Sequence, residues 1–591
     1  MPFHRIQLLL VLFVFTACSD QPASRENTSV KSVMDDVITR LYKEVPPDQY
    51  NAIDDHFMLN FLTDDEKKVL ATNYQYFDVD VPVTVSLMRN VSQPTIPFWL
   101  EESGFKKTDE IVKNDEYAYE VWQKEFKPGR VNLGINGFDM HRSVYFICVG
   151  PTNSDDELHI TNYYPEQYPI MTMKKGAFTY HDWSDLKITE YPAELEGQAL
   201  FTTVRGRARE AHVEGAFRKT KFPSSEKPDQ IMLTWSGDPT NSIDIQWRTN
   251  NAGGEGIAKY WIIGSSDTLQ TKADKYVLED RMLYNDRYVY RYTAHLDQLL
   301  DGQYYEYIVG KGTESWSDVR NFKTENKHQD QFSFIWFGDT HRDPDWAEML
   351  QDANGKHEKI AFYSIAGDLV STGLYRSEWD ELFGYAKDVF SYKPLMPVLG
   401  NHDRQDGLGA WMYYELFSLP KNGPPNVAPE STYAFEYGNA LFLMIDSTHP
   451  NEDQTAWIEE KLKNTSSIWK FVMFHFPPYN FEEPYVDIQE AWCGIFDTYH
   501  VDMVMGGHIH YYMRSKPINH GEVVNSFNEG TVYAVSIGTK ANHDDIGEEP
   551  YAEKRFKDGQ YYQLMEIDGN RLKYSAYNKE GVVVDEFSII K

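Results

Sequence analysis

The stretch FYSIAGDLVSTG, residues 362–373, begins as an apolar run and stops on a carboxylate, Asp368. A buried strand that delivers a lone Asp to its tip needs something there to satisfy the charge, because an unpaired ion in an apolar setting is costly. The same arrangement recurs around it, in FSFIWFGD (332–339), LMPVLGNHD (395–403), ALFLMID (440–446), KFVMFHFPP (470–478) and VDMVMGGHIH (501–510). Helix-like stretches such as EDQTAWIEEKLKN (452–464) separate these runs. The alternation predicts α/β layers around a central sheet. The ionisable residues collect where the apolar runs end, which is where α/β sheets place their ligand sites.

Five of these ends carry the chemistry: Asp339 with His341, then Asp368, then Asn401 with His402 and Asp403, then His475, then His508 with His510. On a strand, the i, i+2 spacing of Asp339/His341 and of His508/His510 points both side chains to one face. Adjoining glycines let the backbone bend and remove side chains that would block an ion. Singly, an Asp here could cap a helix and a His could be hydrogen-bonded structure. Jointly, four histidines, two aspartates and an asparagine brought together form a costly polar cluster unless metal binds it. Mixed oxygen and imidazole donors suit Mn, Fe or Zn better than Mg or Ca.

The chain has 591 residues, too many for one core, so three or four domains are expected. The high aromatic share, 15%, with Tyr and Trp in alternating runs, favours β-structure. A formal charge of −33 repels nucleic-acid backbones and anionic lipid, so no nucleic-acid partner is expected. Residues 1–18 read as a targeting segment: a basic start, the apolar IQLLLVLFVF, and FTAC resembling a bacterial lipobox ending at Cys18. An ordinary cleaved signal with a chance Cys is the other reading. The expected protein is exported to the periplasm or cell surface and held to a bacterial membrane by the lipid anchor alone. Cys148 and Cys493 fit buried hydrophobic positions, with no disulfide framework.

Residues 19–74 read as a tether and a helical segment, with Thr63 and Glu66 at capping-box spacing. Period-two patterning over 75–222 predicts a mostly-β module of unassigned role. From 223 to 325 short strands, opening with IMLTWSGDPTNSIDIQW, suggest a two-sheet sandwich, and 330–591 is the α/β domain.

In order and spacing, GDTH, GD, GNHD, the His of FHFPPY and GHIH match the motifs of the calcineurin-like metallophosphoesterases, which this chain resembles over about 330–591. STYAFEYGNALFLMID, DQTAWIEEKL, HFPPY and GGHIHYYMR narrow the resemblance to the purple acid phosphatases, and PDQIMLTWSGDPTNSIDIQW resembles the fibronectin-III-like domain that precedes their catalytic domain. The resemblance implies one metal ion on Asp339, His341, Asp368 and His510, and a second on Asp368, Asn401, His475 and His508, so that Asp368 bridges. It implies His402 as general acid to the leaving group. Asp403 would orient His402 or simply close a turn. Arg342 and Arg514 would meet substrate phosphate or form structural ion pairs. Where purple acid phosphatases read G-D-x-x-Y, this chain has Ser371, and it carries His341, which they typically lack. Two divalent ions (Mn, Fe or Zn) are therefore expected, without an Fe(III)-tyrosinate.

The implied activity is hydrolysis of small phosphate monoesters. A phosphodiesterase using the same centre is the alternative, and a binding lipoprotein with a vestigial site is the rival from another class. All seven ligand positions are filled, which argues against the last.

Overall fold

The computed structural model describes residues 28–591 except 142–143, 167–169, 182–185, 253, 313–314, 328–329, 405–407, 483–484 and 541–542. The targeting segment and Cys18 lie outside the described residues.

Runs such as FSFIWF and AFYSI are buried along nearly their whole length, the pattern of strands covered on both faces. Gln331–Phe337 pairs in parallel with Ile360–Ile365 and antiparallel with Tyr561–Asp568, and the sheet continues through Arg571–Asn578 to Val583–Ile590. A second sheet has Ala440–Met444, Trp469–Met473, Met503–Gly506 and Val532–Val535 in parallel, with antiparallel strands at its edges. The sheets meet on an aromatic seam. Phe334 lies 5.1 Å from Phe442 and 5.5 Å from Phe471, ring centre to ring centre, and Phe362 lies 5.2 Å from Phe442. Helices Pro344–Lys356 and Arg376–Ala386 pack through Trp346 and Trp379 into this core, while Glu452–Asn464 covers the far side of the second sheet through Trp457 and Ile458. The expected α/β domain is thus a two-sheet sandwich with helices outside.

One expected strand is absent. LMPVLG runs beside Ile360–Ile365 and bonds to it through Met396 N–H to the Tyr363 carbonyl and Val398 N–H to the Ile365 carbonyl, yet it forms no ladder strand. Pro394 and Pro397 remove the donors that a continuous ladder needs.

The segment ahead of this domain is a sandwich of one sheet ordered Asp229–Thr234, Ile243–Asn250, Tyr288–Leu296, Asp274–Glu279, and another built on Leu269–Lys272, Gly256–Ile262 and Tyr304–Lys311. Its first two strands pair antiparallel across the GDPTNS turn, with Leu233 opposite Ile245. Further upstream lie the helix Val30–Glu44, the helix Asp64–Thr72 with a complete Thr63–Glu66 capping box, and seven- and three-stranded sheets.

Where the three regions meet, charge is buried. Arg248 pairs with Asp229 and Asp380, Arg376 with Asp286 and Asp380, and Arg218 with Asp280. Glu325 closes the sandwich and accepts the Gly438 N–H of the α/β domain. Burial pushes its carboxyl up to about 7 from an ordinary 4.5. The folded state therefore binds the extra proton, so this group's contribution is fully present below about pH 4.5 and is lost as pH rises through about 7. Glu325→Gln keeps the acceptor without the charge. It is expected to raise stability at pH 8 by about 2 kcal/mol and leave it unchanged near pH 4. Thermal melts at the two pH values check this; equal shifts at both would count against it.

Candidate metal centre

The parallel strands of both sheets deliver their C-terminal ends to one place. Asp339 follows Gln331–Phe337, Asp368 follows Ile360–Ile365, His475 follows Trp469–Met473, and His508 and His510 follow Met503–Gly506. Asp339, His341 and His510 present donor atoms within 4.8 Å of one another, and so do Asp368, His475 and His508. Asp368 Oδ2 is 3.2 Å from His475 Nε2 and 3.7 Å from His341 Nε2, so this carboxylate faces both groups. Asn401 Oδ1 lies 2.9 Å from His475 Nε2. The seven residues expected to ligate metal are brought together.

The backbone is bent to allow this. Asp368 (φ 50°), His341 (φ 41°), Arg342 (φ 52°) and His508 (φ 71°) all adopt left-handed conformations that non-glycine residues avoid. Such strain gathers at functional sites. Two glycines make the close approaches: a Cβ on Gly400 would sit 2.1 Å from Asp368 Oδ1, and one on Gly507 would sit 2.2 Å from Asp339 Oδ1.

Neighbouring groups orient the ligands. The Ala366 carbonyl, 2.8 Å from His475 Nδ1, accepts its N–H and turns Nε2 towards Asp368 and Asn401. Asp339 Oδ1 accepts the His508 backbone N–H at 2.6 Å, and Asp544 Oδ2 accepts the His510 backbone N–H at 2.7 Å. The ring bond fixes the His475 tautomer, and the two backbone bonds fix the turn from which His508 and His510 project. Burial works against ionisation of Asp368, but the His475 and His402 imidazoles hold it well below the usual carboxylate range. His475 is buried too, yet Asp368 and Asp339 push it up to about 9. The two buried carboxylates thus favour a proton on the His475 imidazole. A cation does the same task when it displaces that proton, as metal binding to histidine generally does. The donor set, the glycine cradle and the charge balance all fit a pair of cations shared through Asp368.

His402 sits beside this cluster, its ring 5.0 Å from that of His341. Its Nδ1 is 2.8 Å from the Ser371 carbonyl, which can only accept, so Nδ1 carries a proton. Asp403 serves the turn instead of His402: its two oxygens accept Val370 N–H at 3.1 Å and Gly400 N–H at 2.9 Å, joining the GD and GNHD loops. Arg342 pairs with Glu378 and Glu381, and Arg514 is buried against Asp585, so both take the structural role. Ser371 Oγ stands 3.5 Å from His341 Nδ1. Sequence reasoning missed Asp544 and Glu378. Glu378 takes the N–H groups of Ser371 and Thr372, and its place seven residues past Ser371 carries no motif.

Comparison with known families matches residues 332–512 to the calcineurin-like phosphoesterases and residues 228–324 to the purple acid phosphatase N-terminal domain. An uncharacterized protein of Mycobacterium tuberculosis is 27% identical over 191 residues, and the match spans only 36% of that relative and 27% of this chain. The Fe(3+)-Zn(2+) purple acid phosphatase 12 of Arabidopsis thaliana is 23% identical, covering 60% of this chain and 82% of that protein. The phosphoenolpyruvate phosphatase of Allium cepa is 25% identical, covering 57% and 73%. In fold, purple acid phosphatase PPD1 from yellow lupin superposes with a TM-score of 0.55 at 15% identity, covering 88% of this chain and 91% of that one. That coverage exceeds what residues 228–591 alone supply, so the likeness in fold reaches into the upstream β module.

Proposed function

We propose, from the premise that this chain carries a calcineurin-like phosphoesterase domain behind a purple acid phosphatase N-terminal domain, that it hydrolyses small phosphate monoesters with a pair of divalent cations. The observation that carries the proposal is the convergence of two three-residue donor groups, with Asp368 facing both. Asp339, His341, Asp368 and His510 would hold one ion, and Asp368, Asn401, His475 and His508 the other. Bound there, the cations supply Lewis acidity towards the phosphoryl oxygens and a nucleophile at neutral pH. The protein's own part is to hold these donors in place, and to move a proton. With Nδ1–H tied to the Ser371 carbonyl, His402 must also carry a proton on Nε2, which it gives to the leaving oxygen as the P–O bond breaks.

The test is kcat/KM on an aryl phosphate monoester against the matching diester. A ratio strongly favouring the monoester supports the reading. A ratio favouring the diester transfers the assignment to a phosphodiesterase with the same centre.

Ser371 in place of the purple-type tyrosine supports a colourless centre of divalent Mn, Fe or Zn. Iron-loaded, air-oxidised protein is expected to lack the visible absorption band of a tyrosinate–Fe(III) pair; its appearance in the absorption spectrum would overturn this point. The sequence of residues 1–18 supports export and lipid attachment at Cys18. Membrane association is then expected to be lost in Cys18→Ala, as fractionation would read.

A further inference from the structure

The loop between Asp368 and the helix Arg376–Ala386 contains a hydrogen-bonded chain that ends on His402. Glu378 lies in the first turn of that helix, its side chain 12% exposed. Through one oxygen, Oε2, it accepts the backbone N–H of Ser371 and that of Thr372, each at 2.9 Å. The Thr372 N–H and the Ser371 carbonyl belong to the same planar peptide unit. That carbonyl is the acceptor for His402 Nδ1. Carboxylate, peptide and imidazole are therefore linked in series.

The carboxylate is itself held. Arg342 Nε lies 3.2 Å from Oε2. The helix that carries Glu378 is fixed by Arg376 pairing with Asp286 and Asp380, and by Trp379 Nε1 donating to the Gly373 carbonyl at 3.1 Å. A bend of the loop at Ser371 would carry the His402 acceptor with it. Two N–H bonds to one fixed oxygen prevent that bend.

We infer that Glu378 is a positioning residue for His402, acting through the Ser371–Thr372 peptide. Negative charge at the N–H end of an amide polarises the carbonyl at the other end, because hydrogen bonds in a chain strengthen one another. A stronger acceptor fixes the ring with Nδ1–H on the carbonyl, and so aims the Nε2–H of the proton-donating form at the leaving oxygen. The inference rests on the reading of His402 as the proton donor to that oxygen.

The experiment measures kcat and KM of the full chain, metal-loaded, on 4-nitrophenyl phosphate and on an alkyl phosphate. The alkoxide leaving group needs a proton and the nitrophenolate hardly does. His402→Ala, Glu378→Ala, Glu378→Gln and the double variant Glu378→Ala/His402→Ala are compared with the unmodified protein. Glu378→Ala is expected to lower kcat about 30-fold on the alkyl ester and about threefold or less on the nitrophenyl ester, with KM little changed. In the double variant Glu378→Ala is expected to add nothing to His402→Ala, as residues acting as a unit behave. Glu378→Gln retains an oxygen that accepts both N–H groups. It is expected to show the same leaving-group bias more weakly, and it carries the test if Glu378→Ala fails to fold. An equal loss on both esters, or losses that multiply in the double variant, would leave Glu378 a loop support only and overturn the inference. Absence of leaving-group bias in His402→Ala would instead overturn the role of His402, and so separates the two failures.

Discussion

Asp368→Asn is expected to lower kcat/KM by at least about 10³-fold, the upper end of what one missing transition-state contact costs elsewhere. Asp368 does more than one contact's work. Its Oδ2 faces His475 at 3.2 Å and His341 at 3.7 Å, and its Oδ1 accepts the His402 backbone N–H at 2.9 Å. An amide keeps the shape and one acceptor oxygen, so the loop survives, but the shared negative charge is gone. Bound metal is expected to fall from two ions per chain to one or fewer, with an unchanged far-ultraviolet circular dichroism spectrum. Elemental analysis and steady-state kinetics read the two effects. Full metal content in an inactive Asp368→Asn would mean that the carboxylate acts in catalysis without bridging.

His402→Ala is expected to separate chemistry from metal binding. General acids contribute about 10²- to 10⁴-fold, so kcat on an alkyl phosphate should fall within that range. The metal content should stay at two. His402 is not needed to complete either donor group, and its ring stands beside His341 with its Nδ1 on a backbone carbonyl. Loss of metal in His402→Ala would make it a support for the ligands. Retained activity on the alkyl ester would remove it from the reaction.

The site was far more legible in the sequence than the network that holds it. Each ligand ends an apolar run and several have a glycine beside them, because a parallel strand must reach the site buried and then turn. That requirement writes itself into consecutive residues, as in MGGHIH and IAGD. The α/β layering was visible for the same reason. What failed to show were contacts between residues distant in the chain. Arg514 meets Asp585, and Asp544 meets the His510 backbone, with nothing local to mark either pair. Glu378 is a case between the two. It is near in sequence, but its role depends on a helix turning back over the preceding loop, and a helical pattern does not reveal which acid does so. The LMPVLG run reads as a strand from its apolar pattern, but Pro394 and Pro397 keep it out of the ladder. Asp403 looked like a partner for the neighbouring His402, yet a turn that brings two loops together had the stronger need of its oxygens.

If Asp368 is shared by two ions, metal must bind this chain with a stoichiometry of two. Calorimetric titration of chelator-stripped protein with Mn²⁺, with monoester hydrolysis followed at each addition, tests it most directly. Binding is expected to saturate at two ions per chain, with activity rising as the second is occupied. Saturation at one ion, or full hydrolysis by the stripped protein, would contradict it.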